Sequence, residues 1–121
     1  MCSLATVIAE KLEAIANLGM ANSRMKDYFD LLALAHEGAT DQRVLSEAIR
    51  ATFERRRTPL PTGMLLGLAD QFARDKAKQA QWNAFLAKNR LEAPPLEVVV
   101  REVRAFLEVP LSQASNPRET R

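Results

Sequence analysis

Apolar residues in this chain recur at three- and four-residue intervals from the first segment to the last. Nowhere do they alternate in the one-in, one-out rhythm of a strand. Such spacing admits little besides helices that each present one greasy stripe. Gly19 with Asn22 interrupts the pattern after Leu4–Leu18; a second segment begins near Asn22 or Ser23 and ends at Gly38. A third runs from Thr40 or Asp41 to about Arg56, with Leu45, Ala48, Ile49, Thr52 and Phe53 as its core side. "RRRTPLPTG", residues 55 to 63, holds two prolines and a glycine and cannot continue a helix. A fourth helix is expected from about Gly63 to Arg74. Residues 75–89 either extend it or form a fifth, with Trp82, Phe85 and Leu86 inward. "APP", residues 93 to 95, opens a last helix in which Leu96, Val99, Val100, Val103, Phe106 and Leu107 keep helical order. Pro110 is expected to end it, leaving a flexible tail over residues 112–121. The expected fold is all-α: one domain, residues 1–111, built as a compact antiparallel bundle of five to six short helices.

Composition narrows the function classes. A chain of 121 residues buries about two-thirds of its unfolded surface, enough for one core without staples. Seventeen basic against 15 acidic residues is too even to mark a polyanion binder, although an isoelectric point near 9.0 leaves that option open. The single cysteine, Cys2, excludes an internal disulfide and a cysteine-based zinc cluster, and no metal site is expected. One cysteine and no secretion signal favour a reducing, cytoplasmic location. No run approaches the roughly 18 apolar residues of a membrane span, so a soluble protein is expected.

One charge sits in an odd place. At about 100° per residue, Leu4, Val7, Ile8, Leu12, Ile15 and Leu18 share one sector of the first helix, with Glu10, Glu13 and Asn17 opposite. Lys11 projects near the middle of the apolar sector. Burying an unpaired ammonium costs several kcal/mol at least, so this one must be paired, neutralised or at a cleft. A stem that covers apolar surface while its head reaches water is the plain explanation; a lysine facing an anionic ligand is the functional one. The second helix supplies partners. "RMKDYFD", residues 24 to 30, sets Asp27 and Asp30 one turn apart on a face away from Met25, Phe29 and Leu32, with Tyr28 and His36 flanking the core side. Two such carboxylates can hold a divalent metal, fix a lysine or activate a hydroxyl. They can equally form a solvated face laced with Arg24–Asp27 and Lys26–Asp30 pairs. The short turn makes the two helices antiparallel neighbours, within reach of Lys11.

At these residues, "AEKLEAI" followed by "GMANSRMKDYFDL" resembles the AbiEii/AbiGii-type nucleotidyltransferase toxins, with their E-K-x-x-A, a short gap, then R-x-K-D-x-x-D. "AIRATFERRRTPLP" and "QWNAFLAKNRL" are similar to the C-terminal helical part of such proteins, so the resemblance covers nearly the whole chain. It implies a polymerase-beta-like nucleotidyltransferase that works with a metal on a nucleoside triphosphate. In some members nucleotides are added to the acceptor end of tRNA, and such toxins are paired with a separate antitoxin. On this resemblance Lys11 matches a lysine that neutralises triphosphate charge, Asp27 an aspartate of the active-site pocket and Asp30 a supporting carboxylate. Arg24 and Lys26 match basic positions that hold carboxylates or meet phosphate.

The family's catalytic half also carries a G-S motif and a D-x-D pair on a sheet, and this sequence contains neither. Two-metal phosphoryl chemistry needs such clustered carboxylates. The expectation is therefore a chain inactive alone: a truncated product, an isolated C-terminal domain or one piece of a split protein. Mg2+ and NTP are expected only with the missing half, tRNA only with a complete protein, and a separate N-terminal half or an antitoxin as partner. A lost domain should leave an apolar patch on the first two helices. The rival reading is a non-catalytic helical interaction module.

Other signals are weak. His36, the one histidine, suits capping or packing near a helix end. "RRR", residues 55 to 57, suits a solvated helix end better than an RNA contact. Lys76, Lys78 and Lys88 beside Trp82 hint at a nucleic-acid face, though a lone Trp is more often core. Gly63 and Gly67 lack the lysine and serine of a phosphate loop.

Overall fold

The computed structural model describes residues 4–22, 24–38, 41–61 and 65–115, and every regular element among them is helical. The order is α1 (Leu4–Leu18), α2 (Met25–Glu37), α3 (Gln42–Arg55), α4 (Asp70–Arg74), α5 (Lys76–Asn89) and α6 (Leu96–Ser115). Single 3-10 turns occupy Gly19–Ala21 and Leu66–Leu68. The all-α bundle is the one that the spacing predicts. Ser23, Thr40 and Gly63, expected near helix starts, lie outside the described residues, as does Cys2.

Caps explain most boundaries. Asp41 accepts from the backbone N–H groups of Arg43 and Val44 at 2.8 and 3.2 Å and starts α3. Asp75 accepts from the N–H of Lys78 at 3.0 Å, which makes α5 a separate helix rather than an extension of α4. At the end of α3 the N–H of Arg57 bonds to the Glu54 carbonyl and that of Thr58 to the Phe53 carbonyl. Arg57 is left-handed at φ 56°, so the two bonds form a Schellman turn without a glycine.

Two expectations are corrected. The fourth helix is only five residues long, because the chain before it is committed to a close approach. A Cβ on Gly67 would lie 2.6 Å from Ile15 Cγ2 in α1, and the Tyr28 hydroxyl of α2 donates to the Gly67 carbonyl at 2.7 Å. That backbone meets neighbouring helices and builds only the single 3-10 turn Leu66–Leu68 in place of a longer helix. Pro110 does not end α6: the helix continues to Ser115, so residues 112–115 of the expected tail are helical, and residues 116–121 lie outside the description. Pro110 is buried, and Arg50 of α3 donates to the carbonyls of Gln113 and Ala114 at 3.1 and 3.2 Å. The far end of the helix is thus held across the bundle.

Packing runs chiefly between α1 and α3, α3 and α6, and α2 and α6. Trp82, Tyr28, Phe53 and Phe72 are fully buried. Trp82 donates to the Pro94 carbonyl at 3.0 Å and stacks on Phe85, a core role. On α1 the buried residues are Ala5, Ile8, Ala9, Leu12, Glu13 and Ile15, whereas Leu4 and Leu18 are exposed. The stripe is rotated toward the alanines, which the large aliphatics outweigh in projection. Lys11 therefore stands on its flank and not at its centre. The exposed large apolar residues are Leu4, Leu18, Val44, Leu66 and Val109. None lies on α2, and the two on α1 are about 21 Å apart along its axis. The apolar patch expected across the first two helices is absent among the described residues.

Candidate functional site

The turn between α1 and α2 sets the geometry. Asn22 is fully buried; its Oδ1 accepts from the N–H of Arg24 at 2.9 Å, and its carbonyl accepts from the Lys78 ammonium at 2.9 Å. Asp27 follows in the first turn of α2, where its negative charge suits the helix N-terminus. Lys11 Nζ lies 3.3 Å from Asp27 Oδ1 and 3.0 Å from Asp30 Oδ2, bridging the two carboxylates. Lys26 Nζ reaches the same Asp30 oxygen at 2.7 Å. Arg24 Nε is 3.2 Å from Asp27 Oδ2, yet not aligned to donate. That buried oxygen has no hydrogen bond among the described residues and is met by the charge of Arg24. All five residues singled out in the sequence come together.

The lysine is a largely covered cation: its side chain is 20% exposed, against 5% for Asp27. Burial alone lowers its pKa, but the hydrogen bond and charge of Asp30, joined by those of Asp27, raise it above the ordinary lysine value. Burial likewise raises that of Asp30, and the bonds and charges of Lys26 and Lys11 bring it below the usual carboxylate value. Burial pushes the neighbouring Tyr28 phenol far up, so it stays a neutral donor.

Beside this cluster lies a cleft of about 310 Å³. It brings the start of α2 (Arg24, Asp27) and the residue ending α3 (Arg56) to one groove along α1, lined there by Val7, Lys11, Ala14 and Leu18. Glu10, Glu13 and Asn17 line it too. Glu13, expected on the solvent face, is buried: the Thr58 hydroxyl donates to it at 2.6 Å, and Arg56 approaches to 4.0 Å. The loop after α3 folds back onto α1, which no spacing within α1 could reveal. Arg55 bonds Glu10 at 3.1 Å and Arg56 lies 3.9 Å from it, so two of the three consecutive arginines face acids of α1 and only Arg57 is a plain solvated helix end. No spacing or motif points to Thr58, and only the basic run points to Arg56. Lys78 is buried and cannot belong to a nucleic-acid face with Lys76 and Lys88, which are exposed. His36, expected to cap or pack near a helix end, is exposed and pairs with Glu102 of α6 at 2.7 Å, a surface link between the two helices and not core packing.

Asp27 and Asp30 are committed to an ammonium, and no group of three or more His, Cys, Asp or Glu able to hold a metal occurs among the described residues. These side chains alone do not fit the metal pair of nucleotidyl transfer. What they do fit is a fixed, protonated lysine beside a cleft. Residues 1–109 match the family described as nucleotidyl transferase AbiEii toxin, type IV TA system. The chain belongs to the AbiEii family. The match encloses the whole Lys11–Asp27–Asp30 cluster and makes this a nucleotidyltransferase-toxin-like protein of a toxin–antitoxin family. No curated protein and no solved structure matches it. Among the described residues no helix is long and apolar enough to cross a membrane.

Proposed function

We propose that this chain is the helical portion of an AbiEii nucleotidyltransferase site. In it Lys11 neutralises the triphosphate of an NTP, and Asp27 and Asp30 hold that lysine in position. Its support is one observation, the bridging of both aspartates by Lys11 at the edge of a cleft. The two carboxylates restrain a flexible stem and keep its head charged. An ammonium carries three N–H donors, so two acceptors leave one for a phosphate oxygen. Arg24 and Lys26 hold the carboxylates from their other side.

The family chemistry, transfer of nucleotides from an NTP to tRNA, is carried out on this reading only together with clustered carboxylates that these residues do not contain, whether those stand on the same polypeptide or on a partner. The chain is cytoplasmic, inactive alone, and associates with such a catalytic half or with an antitoxin. Rigorously purified chain given labelled NTPs, magnesium and tRNA should incorporate no label, and metal-dependent incorporation would sink that part. ATP with magnesium should shift the amide resonances of α1 and the start of α2, and Lys11→Ala should abolish the shifts. An unresponsive spectrum would leave the non-catalytic interaction module as the better account.

A further inference from the structure

We infer that Arg56 is a second phosphate-binding residue of the cleft, gripping a nucleotide phosphate from the end of α3 while Lys11 and Arg24 meet it from α1 and α2. This rests on the reading of Lys11 as a phosphate-facing lysine, and adds a residue that the R-x-K-D-x-x-D block does not contain.

Arg56 lines the cleft, half-exposed, yet its guanidinium makes no hydrogen bond among the described residues. Its acidic neighbours are otherwise engaged. Glu10 is bonded by Arg55 at 3.1 Å, and Glu13 accepts from Thr58 at 2.6 Å, which leaves Arg56 at 3.9 and 4.0 Å from them. Arg55, one position earlier, is the structural arginine of the pair. Arg24 repeats the pattern on the other helix end: it stands 3.2 Å from Asp27 Oδ2 without an aligned hydrogen bond. Two guanidiniums whose planar forks suit phosphate oxygens thus border one groove, each near a carboxylate but with no side-chain hydrogen bond among the described residues.

The position of Arg56 is built and not incidental. The Schellman turn through Arg57 and Thr58 ends α3 at this point, and the part-buried Thr58–Glu13 bond ties that turn to α1. At about 310 Å³ the groove suits part of a single nucleotide, not a duplex. The lining includes three carboxylates, Glu10, Glu13 and Asp27, as well as the three cations. A bare polyanion therefore meets mixed charge, and binding should be weak and salt-sensitive. The phosphate can belong to a free triphosphate or to the end of an RNA strand.

The full chain would be titrated with ATP plus magnesium, and separately with a short single-stranded RNA, by amide shifts or calorimetry. Wild type, Arg56→Gln, Arg56→Lys and Lys11→Ala would be compared, with thermal melts to verify folding. Arg56→Gln should weaken binding about tenfold, the scale of one lost charge-assisted contact, and Arg56→Lys should recover only part, because lysine lacks the fork. A loss confined to ATP identifies the triphosphate as the source; a loss confined to RNA identifies the strand end. Wild-type affinity for both probes in folded Arg56→Gln, with Lys11→Ala still defective, overturns the role of Arg56 and leaves the Lys11 reading intact. Failure of wild type to bind either probe overturns both.

Discussion

Lys11 and Lys78 are both lysines covered by the bundle, and they end in opposite situations. Lys11 has two carboxylates within 3.3 Å and borders a cleft. Lys78 is more deeply buried, at 8% exposure; its ammonium donates to the Asn22 carbonyl at 2.9 Å and lies 5.4 Å from the centre of the Phe72 ring. Among the described residues it has no carboxylate within salt-bridge distance. A carbonyl and an aromatic face can hold a cation in place, but they leave it no open space to work on. Burial of a lysine alone therefore does not distinguish the two; the difference is that the partners of Lys11 leave it facing a cavity, on which its proposed role rests. The two are also connected. Lys78 ties α5 to the turn that starts α2, and that turn aims Asp27 at Lys11.

The largest expected effect tests the structural half of this contrast. Lys78→Ala should cost about 2–3 kcal/mol in urea unfolding, from the orphaned Asn22 carbonyl and the lost packing of the stem; a neutral result would erase the distinction. Lys11→Ala should cost less, about 1–2 kcal/mol, because it removes the aligned donor of buried Asp27 but also relieves a partly covered charge. If it proves costlier than Lys78→Ala, the ranking is reversed and Lys11 is primarily a stability residue.

A pH series sharpens the contrast further. The pKa of Lys11 is raised above 10.5, so its pair stabilises the fold below that pH and the contribution fades as pH rises through the folded value. That of Asp30 is lowered below 3.8, so its contribution holds above that pH and fades as pH falls through the folded value. The melting temperature of wild type minus that of Lys11→Ala should therefore be flat between about pH 4 and 10 and shrink on either side. The subtraction matters because Tyr28, with its raised pKa, removes stability above pH 10 in both proteins. The smallest effect belongs to the exposed outer pair: Lys26→Ala should change stability by no more than about 0.5 kcal/mol, leaving Asp30 bound to Lys11. A larger loss would mean that Lys26 shares the central role.

Much of the candidate site was legible in advance because the Lys11–Asp27–Asp30 cluster lies in two consecutive helices joined by a short turn. Helical spacing puts Asp27 and Asp30 on one face, and the turn brings them to Lys11. Arg56, Glu13 and Thr58 were not legible as a group, since their meeting depends on how a loop some 45 residues later returns to α1. The same holds for Gly67, which falls within the expected fourth helix until Ile15 and Tyr28 are seen against it.

The amino-acid order by itself determined the helices, most of their ends and the lysine–aspartate cluster, because periodicity, caps and neighbouring helices are local matters. Only the tertiary structure decided that α6 runs through Pro110, that Glu13 and Lys78 are buried, and that the end of α3 walls a cleft. Each of those depends on a partner distant in the chain, such as Arg50, Thr58 or Asn22, whose contribution exists only after the helices have packed.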